Sequence, residues 1–239
     1  MGVYDNAIYA TSETERINSL IGYLNNLNTE ELTVISAESG TLEISGTTYT
    51  GVSFSLTGTN ISGFFGYNGL TSTACCLKNG DNYLIPETAR SYANNANLSV
   101  HSYVDKDCIY IAINDLNSGR TGLEFILLNT SDSKRLIGYK ELLTDSQYVD
   151  ISTLVFEELS DASRTQFSYT NMFQYVAQSG TLDYLGQAYF VNGNNLKKFT
   201  TDILRECSTV TLLSTASLSD GNWIALGAHC LAPLDSEEV

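Results

Sequence analysis

Cys108-Ile-Tyr-Ile-Ala-Ile113 and Leu123-Glu-Phe-Ile-Leu-Leu128 stand on either side of Asp115-Leu-Asn-Ser-Gly119, and their reading decides the fold. Each is a nearly continuous apolar run of strand length bounded by turn residues, the pattern of a fully buried strand. Together they predict a buried central hairpin. Upstream, Leu32/Val34, Leu42/Ile44 and Val52/Phe54/Leu56 alternate with polar residues and are separated by Ser39-Gly40, Ser45-Gly46 and Gly51, which predicts short antiparallel strands. Gly58 to Leu70 reads as a tight turn with packed aromatics, because its glycine spacing does not match a dinucleotide loop. Downstream, strands are expected at Leu182 to Val191, Thr209 to Thr215 and Trp223 to Leu231, with turns at Asn192-Gly193 and Asp220-Gly221.

Helices are fewer. Ser12-Glu-Thr-Glu15 has the form of a capping box and is followed by Ile17, Leu20, Ile21, Leu24 and Leu27, which predicts an amphipathic helix over 13–27. Weaker patterns suggest short helices from Pro86 towards Asn94, over 136–143 and over 168–178. The fold class is therefore α+β and β-dominated. Antiparallel sheets in a sandwich or barrel carry an N-terminal amphipathic helix and a few short helices. Residues 1–239 contain no Pro/Gly/Ser linker and read as one compact unit, with a division near residue 135 as the alternative.

Charge narrows the partners. The chain has 12 Lys and Arg against 27 Asp and Glu, a formal net charge of −15. Without clustered cations it is expected to bind neither nucleic acid nor an anionic membrane surface. No apolar run approaches the roughly 18 residues of a membrane span. Met1-Gly-Val-Tyr-Asp-Asn6 lacks the basic and apolar regions of a signal peptide, so folding in a cytosol is expected. The five cysteines, Cys75, Cys76, Cys108, Cys207 and Cys230, are odd in number and have no framework spacing, so they read as reduced thiols. Neighbours on a strand, Cys75 and Cys76 are expected on opposite faces as small buried hydrophobes.

Catalytic motifs are missing from the sequence. There is no nucleophile elbow, P-loop, H-E-x-x-H, C-x-x-C or EF-hand loop. Only His101 and His229 provide imidazole. A long-range pair such as His101 with Cys207 is the remaining route to a Cys–His nucleophile. Glu30, Glu31, Asp105, Asp107, Glu124, Glu157, Glu158 and Asp183 are the acids from which a carboxylate hydrolase would draw, and each reads as a solvated surface group. Asp105-Lys106-Asp107 lacks the further oxygens and glycine of a calcium loop. No cofactor and no metal are expected. Ser, Thr and Asn number 26, 25 and 20, beside 15 Tyr and 18 Gly, a vocabulary that suits broad recognition surfaces.

The closing segment Asp220-Gly-Asn-Trp-Ile-Ala-Leu-Gly-Ala-His-Cys-Leu-Ala-Pro-Leu-Asp235 and the opening Asn6-Ala-Ile-Tyr-Ala-Thr-Ser-Glu-Thr-Glu15 resemble virion structural proteins of tailed bacteriophages and prophages of Gram-positive hosts. The resemblance covers about 26 residues and implies a class, not a set of active-site residues. It implies a non-enzymatic head, neck or tail component of a phage or phage-like particle. Such a protein folds in the bacterial host cytoplasm, resides in the virion, and assembles as a symmetric homo-oligomer with other virion proteins. The helix face Ile17, Leu20, Ile21 and Leu24 and the strand from Trp223 are the candidate contact elements. A carbohydrate- or receptor-binding module is the alternative, and a carboxylate hydrolase a third.

Overall fold

β8 (Cys108–Asp115) pairs antiparallel with β9 (Gly122–Asn129), Cys108 opposite Leu128 and Ile113 opposite Leu123, so the two apolar runs form the expected hairpin. The structure, a computed structural model, describes residues 6–8, 12–28, 34–69, 72–91, 98–115, 122–130, 133–142, 154–170, 187–200, 215–218, 221–227 and 230–234. Within these residues lie one helix, α1 (Glu13–Asn25), and three antiparallel sheets. The first sheet is a five-stranded meander of β2 (Ile35–Ile44), β3 (Thr47–Leu56), β4 (Ile61–Tyr67), β5 (Ser72–Asn79) and β6 (Asn82–Ser91). The second has nine strands. It begins with β1 (Asn6–Ile8), β7 (Leu98–Val104), β8, β9 and β10 (Arg135–Leu142), and continues through β11 (Val155–Glu158), β12 (Gln166–Thr170), β13 (Gln187–Asn192) and β14 (Asn195–Thr200). The third joins β15 (Thr215–Leu218), β16 (Gly221–Gly227) and β17 (Cys230–Leu234).

The first two sheets form a sandwich. Val52, Phe54 and Leu56 of β3 share one core with Ile109, Ile111 and Ile113 of β8 and with Leu123, Phe125 and Leu127 of β9. Phe54 stacks on Phe125 with ring centroids 5.6 Å apart and planes 13° from parallel. The middle strands β8 to β11 of the nine-stranded sheet are also buried on their other face, where Tyr110, Ile126, Leu128, Leu136 and Phe156 are at most 1% exposed. That double burial explains why β8 and β9 read as continuous apolar runs while β3 alternates.

Helix α1 closes one edge of the sandwich. Ser12 caps it, its side chain accepting from the Glu15 N–H at 3.2 Å. Ile17, Leu20, Tyr23 and Leu24 enter the shared core, and Tyr23 shares a hydrogen bond of 2.7 Å with Ser102 of β7. The last turn uses asparagine side chains as a substitute strand. The Asn25 amide accepts from Ala37 N–H and donates to Ala37 C=O at 3.0 and 2.9 Å. Asn28 does the same for Ile35, at 3.0 and 2.7 Å, and accepts from Val34 N–H as well. The first half of β2 is thus capped at its outer edge.

Several expectations need correction. Ser39-Gly40 and Gly51 are not breaks but lie inside ten-residue strands. Gly40 pairs with Gly51, and Gly51 with Gly66. A Cβ on Gly51 would sit 2.2 Å from the Phe65 carbonyl oxygen, so glycine there serves a close backbone approach and not a turn. Ser45-Gly46 is the real turn, with φ of 52° and 77°, as a type I′ hairpin requires. The stretch expected as an aromatic turn is mostly β4, with Gly58 and Gly69 as its flanking turns.

The helices expected from Pro86 and over 136–143 are strands. Pro86 is tolerated because β6 is an edge strand. In β10 both faces are apolar, which conceals the period of two. The start of 168–178 lies in β12 and the rest outside the described residues. Trp223 to Leu231 is not one strand but the hairpin of β16 and β17. Of the expected strands at 182–191 and 209–215, the described parts are β13 and the first residue of β15. The chain changes sheets between Ser91 and Leu98 and not near residue 135, where β9 and β10 pair side by side over eight residues.

Two glycines separate steric from conformational effects. A Cβ on Gly138 would lie 2.5 Å from the Phe156 ring and 2.9 Å from Ile126, whereas one on the helical Gly22 meets nothing within 4 Å. Gly138→Ala should destabilise the protein by about 1–3 kcal/mol through overpacking. Gly22→Ala should stabilise it by about 0.5–1 kcal/mol through helix propensity. Urea denaturation of both variants measures the opposite signs.

Candidate functional site

Acid–base chemistry of the carboxylate-hydrolase kind depends on where the carboxylates sit. The structure corrects their reading as solvated groups at three positions, since Glu124, Glu157 and Glu158 are 0%, 2% and 6% exposed. Glu157 and Glu158 are consecutive on β11, so the pleat sends them to opposite faces of the nine-stranded sheet. They cannot form the facing pair a glycosidase needs.

Glu157 points to the sandwich side. Its Oε1 accepts from Tyr139 Oη, from Gln166 Nε2 at 3.0 Å and from Arg164 Nη2 at 3.3 Å, and its Oε2 accepts from Arg164 Nε at 3.3 Å. Gln166 Nε2 also donates to Tyr139 Oη at 2.8 Å. Arg164 Nη2 donates to the Tyr83 carbonyl of β6 at 3.2 Å, so the network ties β10, β11 and the turn before β12 to the opposing sheet. Burial, followed by the Glu157 carboxylate, pushes the Tyr139 phenol far above its ordinary value, and the hydrogen bonds that Arg164 donates to Glu157 raise the guanidinium. Each raised group stays protonated and donating at neutral pH. The arrangement is a satisfied clamp.

Glu158 points to the other face. Burial opposes its charge, but Lys134 at 2.6 Å, Lys197 and Ser160 at 2.9 Å outweigh it and hold the carboxyl at about 2, below its usual 4.5. Lys197 comes from β14 and lies 5.3 Å from the Phe167 ring centre. Through it Glu158 joins β11 to the far edge of the sheet. Glu124, on β9, accepts from Tyr110 Oη at 3.2 Å.

A cleft of about 90 Å³ opens at one end of the sandwich, between Val34 and Thr57 on one sheet and Asp105, Asp107, Asn129 and Arg135 on the other. It has room for about three waters, against roughly 300 Å³ for the smallest usual ligand pockets. Its polar walls are engaged in local structure. Asp105 Oδ1 accepts from Asp107 N–H at 2.7 Å, and Arg135 donates to Asn129 at 3.1 Å and to the Gly58 carbonyl at 2.9 Å. Among the described residues no group of three or more His, Cys, Asp or Glu is placed to hold a metal ion.

The remaining candidates are placed as follows. Ile17, Leu20 and Leu24 are 6%, 1% and 0% exposed in the chain's own core, with Ile21 packed against it. Trp223, on the middle strand of the third sheet, is 5% exposed. The helix face therefore spends its apolar surface inside one chain. Cys75 lies in the shared core and Cys76 in a small outer cluster with Tyr49, Phe64 and Ala74, on opposite faces as the alternation predicts. Burial pushes the Cys76 thiol up to about 11, which leaves it protonated and unreactive. His101 lies on β7, while His229, Cys207, Glu30, Glu31 and Asp183 lie outside the described residues. Among the described residues no helix is long and apolar enough to cross a membrane. No protein-family model, no curated protein and no solved structure matches the chain.

Glu158 gives the protein a pH-dependent term of known sign. Its folded pKa lies below its unfolded value, so its stabilisation is present above about 4.5 and disappears as pH falls towards about 2. With both lysines partly exposed, the expected size is on the order of 1–3 kcal/mol. Glu158→Gln should lose that amount at pH 7 and flatten the stability profile between pH 5 and 2, measured by urea denaturation across pH. Glu157→Ala, which leaves the partly exposed Arg164 and the Tyr139 hydroxyl without their acceptor, should cost about 1–3 kcal/mol in the same assay at pH 7.

Proposed function

We propose that this protein is a non-enzymatic structural component of a phage or phage-like particle, acting through symmetric assembly with its own copies and with other virion proteins. The observation that carries the proposal is the use of the buried charges. Glu157 and Glu158, two of the three buried carboxylates, are consumed in clamps that tie β6, β10, β11 and β14 together. A fixed, fully paired carboxylate holds a shape and does not cycle a proton. The surface vocabulary of Ser, Thr, Asn and Tyr fits the same reading, because those side chains provide the hydrogen-bonding rim of protein contacts. So does the resemblance carried by Asn6 to Glu15 and Asp220 to Asp235. The protein would fold in the bacterial cytoplasm and end in the virion.

Light scattering on a size-exclusion column, over a hundredfold range of protein concentration, tests the proposal. A discrete closed oligomer or a concentration-dependent polymer is expected. A strict monomer at every concentration overturns self-assembly.

A further inference from the structure

β2 is an edge strand, and in an antiparallel ladder alternate residues direct both N–H and C=O to the same side. Ile35 and Ala37 direct theirs outward, where Asn28 and Asn25 receive them. The outward set therefore continues with Ser39, Thr41 and Glu43. All three are exposed, and beyond Ala37 α1 provides no further asparagine cap. Among the described residues this stretch pairs with no further strand, and it has two fixed stops. Asn25 blocks it at Ala37, and the Ser45-Gly46 turn ends it after Ile44. The other described edges of the two large sheets are blunted. β6 carries Pro86 and register shifts, β1 has three residues, and the sequence of β14 includes two consecutive lysines.

We propose that Ser39–Glu43 is a self-pairing edge, at which β2 of two copies join antiparallel about a two-fold axis through Thr41. The inference rests on the assembly reading and names its contact. In this register Thr41 faces its own counterpart and Ser39 faces Glu43, so all three outward residues bond and no carboxylate lies opposite another. Ala37 falls opposite Ser45, so pairing stops on each copy where its free edge stops. On the alternate face Leu42 falls opposite Gly40, a large side chain against none. The two Glu43 residues lie four positions apart along the ladder, about 13 Å, beyond the roughly 8 Å screening length of physiological salt. The product is a continuous ten-stranded sheet from two five-stranded ones. Because each copy carries −15, pairing is expected to strengthen as salt rises. Six backbone hydrogen bonds alone make a weak contact, with a dissociation constant in the roughly micromolar to millimolar range.

Thr41→Pro is the decisive variant. It removes an outward N–H that the chain's own β2–β3 ladder does not use, so the fold is kept, and circular dichroism and urea denaturation verify this. The expected result is loss of the two-fold contact, with the oligomer seen by light scattering halved or its midpoint concentration raised at least tenfold. Thr41→Cys under mild oxidation should cross-link into a covalent dimer, since paired α-carbons about 5.5 Å apart suit a disulfide. Glu43→Cys, whose counterpart is about 13 Å away, and the wild type should not cross-link. An oligomer unchanged by Thr41→Pro, with no Thr41→Cys dimer, overturns this edge and leaves the assembly reading standing on another surface. A wild type that is monomeric at every concentration overturns both.

Discussion

The structure depends on one contact between layers, the apolar face of the five-stranded sheet against that of the nine-stranded one, where Phe54 of β3 stacks on Phe125 of β9. Removing apolar area from water at about 25 cal/mol per Å² is the main favourable term in folding, and two half-apolar sheets realise it only by facing each other. The second consequence is less obvious. The middle strands β8 to β11 are buried on their far face too, so they have no solvent side on which to place charge. Every ionisable group on β9 or β11 must then be paired or hydrogen-bonded inside the protein.

Glu157 and Glu158 show how that demand is met. Consecutive on β11, they serve opposite faces of one sheet, and each is compensated by cations brought from elsewhere in the sequence. Arg164 links Glu157 to the carbonyl of Tyr83 in the opposing sheet, and Lys197 links Glu158 to the last strand of its own. Such pairs add little net stability compared with apolar replacements of the same shape, but breaking one is costly. Their effect is to fix which strands lie together. A scaffold that holds its shape in this way is suited to presenting an edge in one geometry. Asn25 at the end of α1 and Asn28 just beyond it refine that edge, capping β2 as far as Ala37 and leaving the remainder open.

The helix stripe illustrates the limit of pattern reading for function. Ile17, Leu20 and Leu24 have the spacing of a contact face, and the structure uses them as core. A buried apolar stripe has the same sequence whether it packs within one chain or between two. The interaction surface argued for β2 instead contains Ser39, Thr41 and Glu43, residues with no apolar signal. Backbone groups provide that contact, and they are identical in every sequence. Only the strand order, which places β2 at an edge, and two asparagines one helix away make it visible.

The sequence by itself determined the β-dominated class, the buried hairpin of β8 and β9, the capped helix and a strand break at Ser45-Gly46. These features are written in local patterns: strand-length apolar runs, a Ser and a Glu three residues apart, a flexible pair between strands. Tertiary structure decided the rest. It made strands of Pro86 and of residues 136–142, because an edge tolerates proline and a twice-buried strand loses its alternation. It turned Gly40 and Gly51 from apparent breaks into points of close strand approach. It buried Glu124, Glu157 and Glu158 against Tyr110, Arg164 and Lys197. The physical reason is common to all of these: burial and pairing are set by neighbours that lie far away in the sequence and meet only when the sheets close.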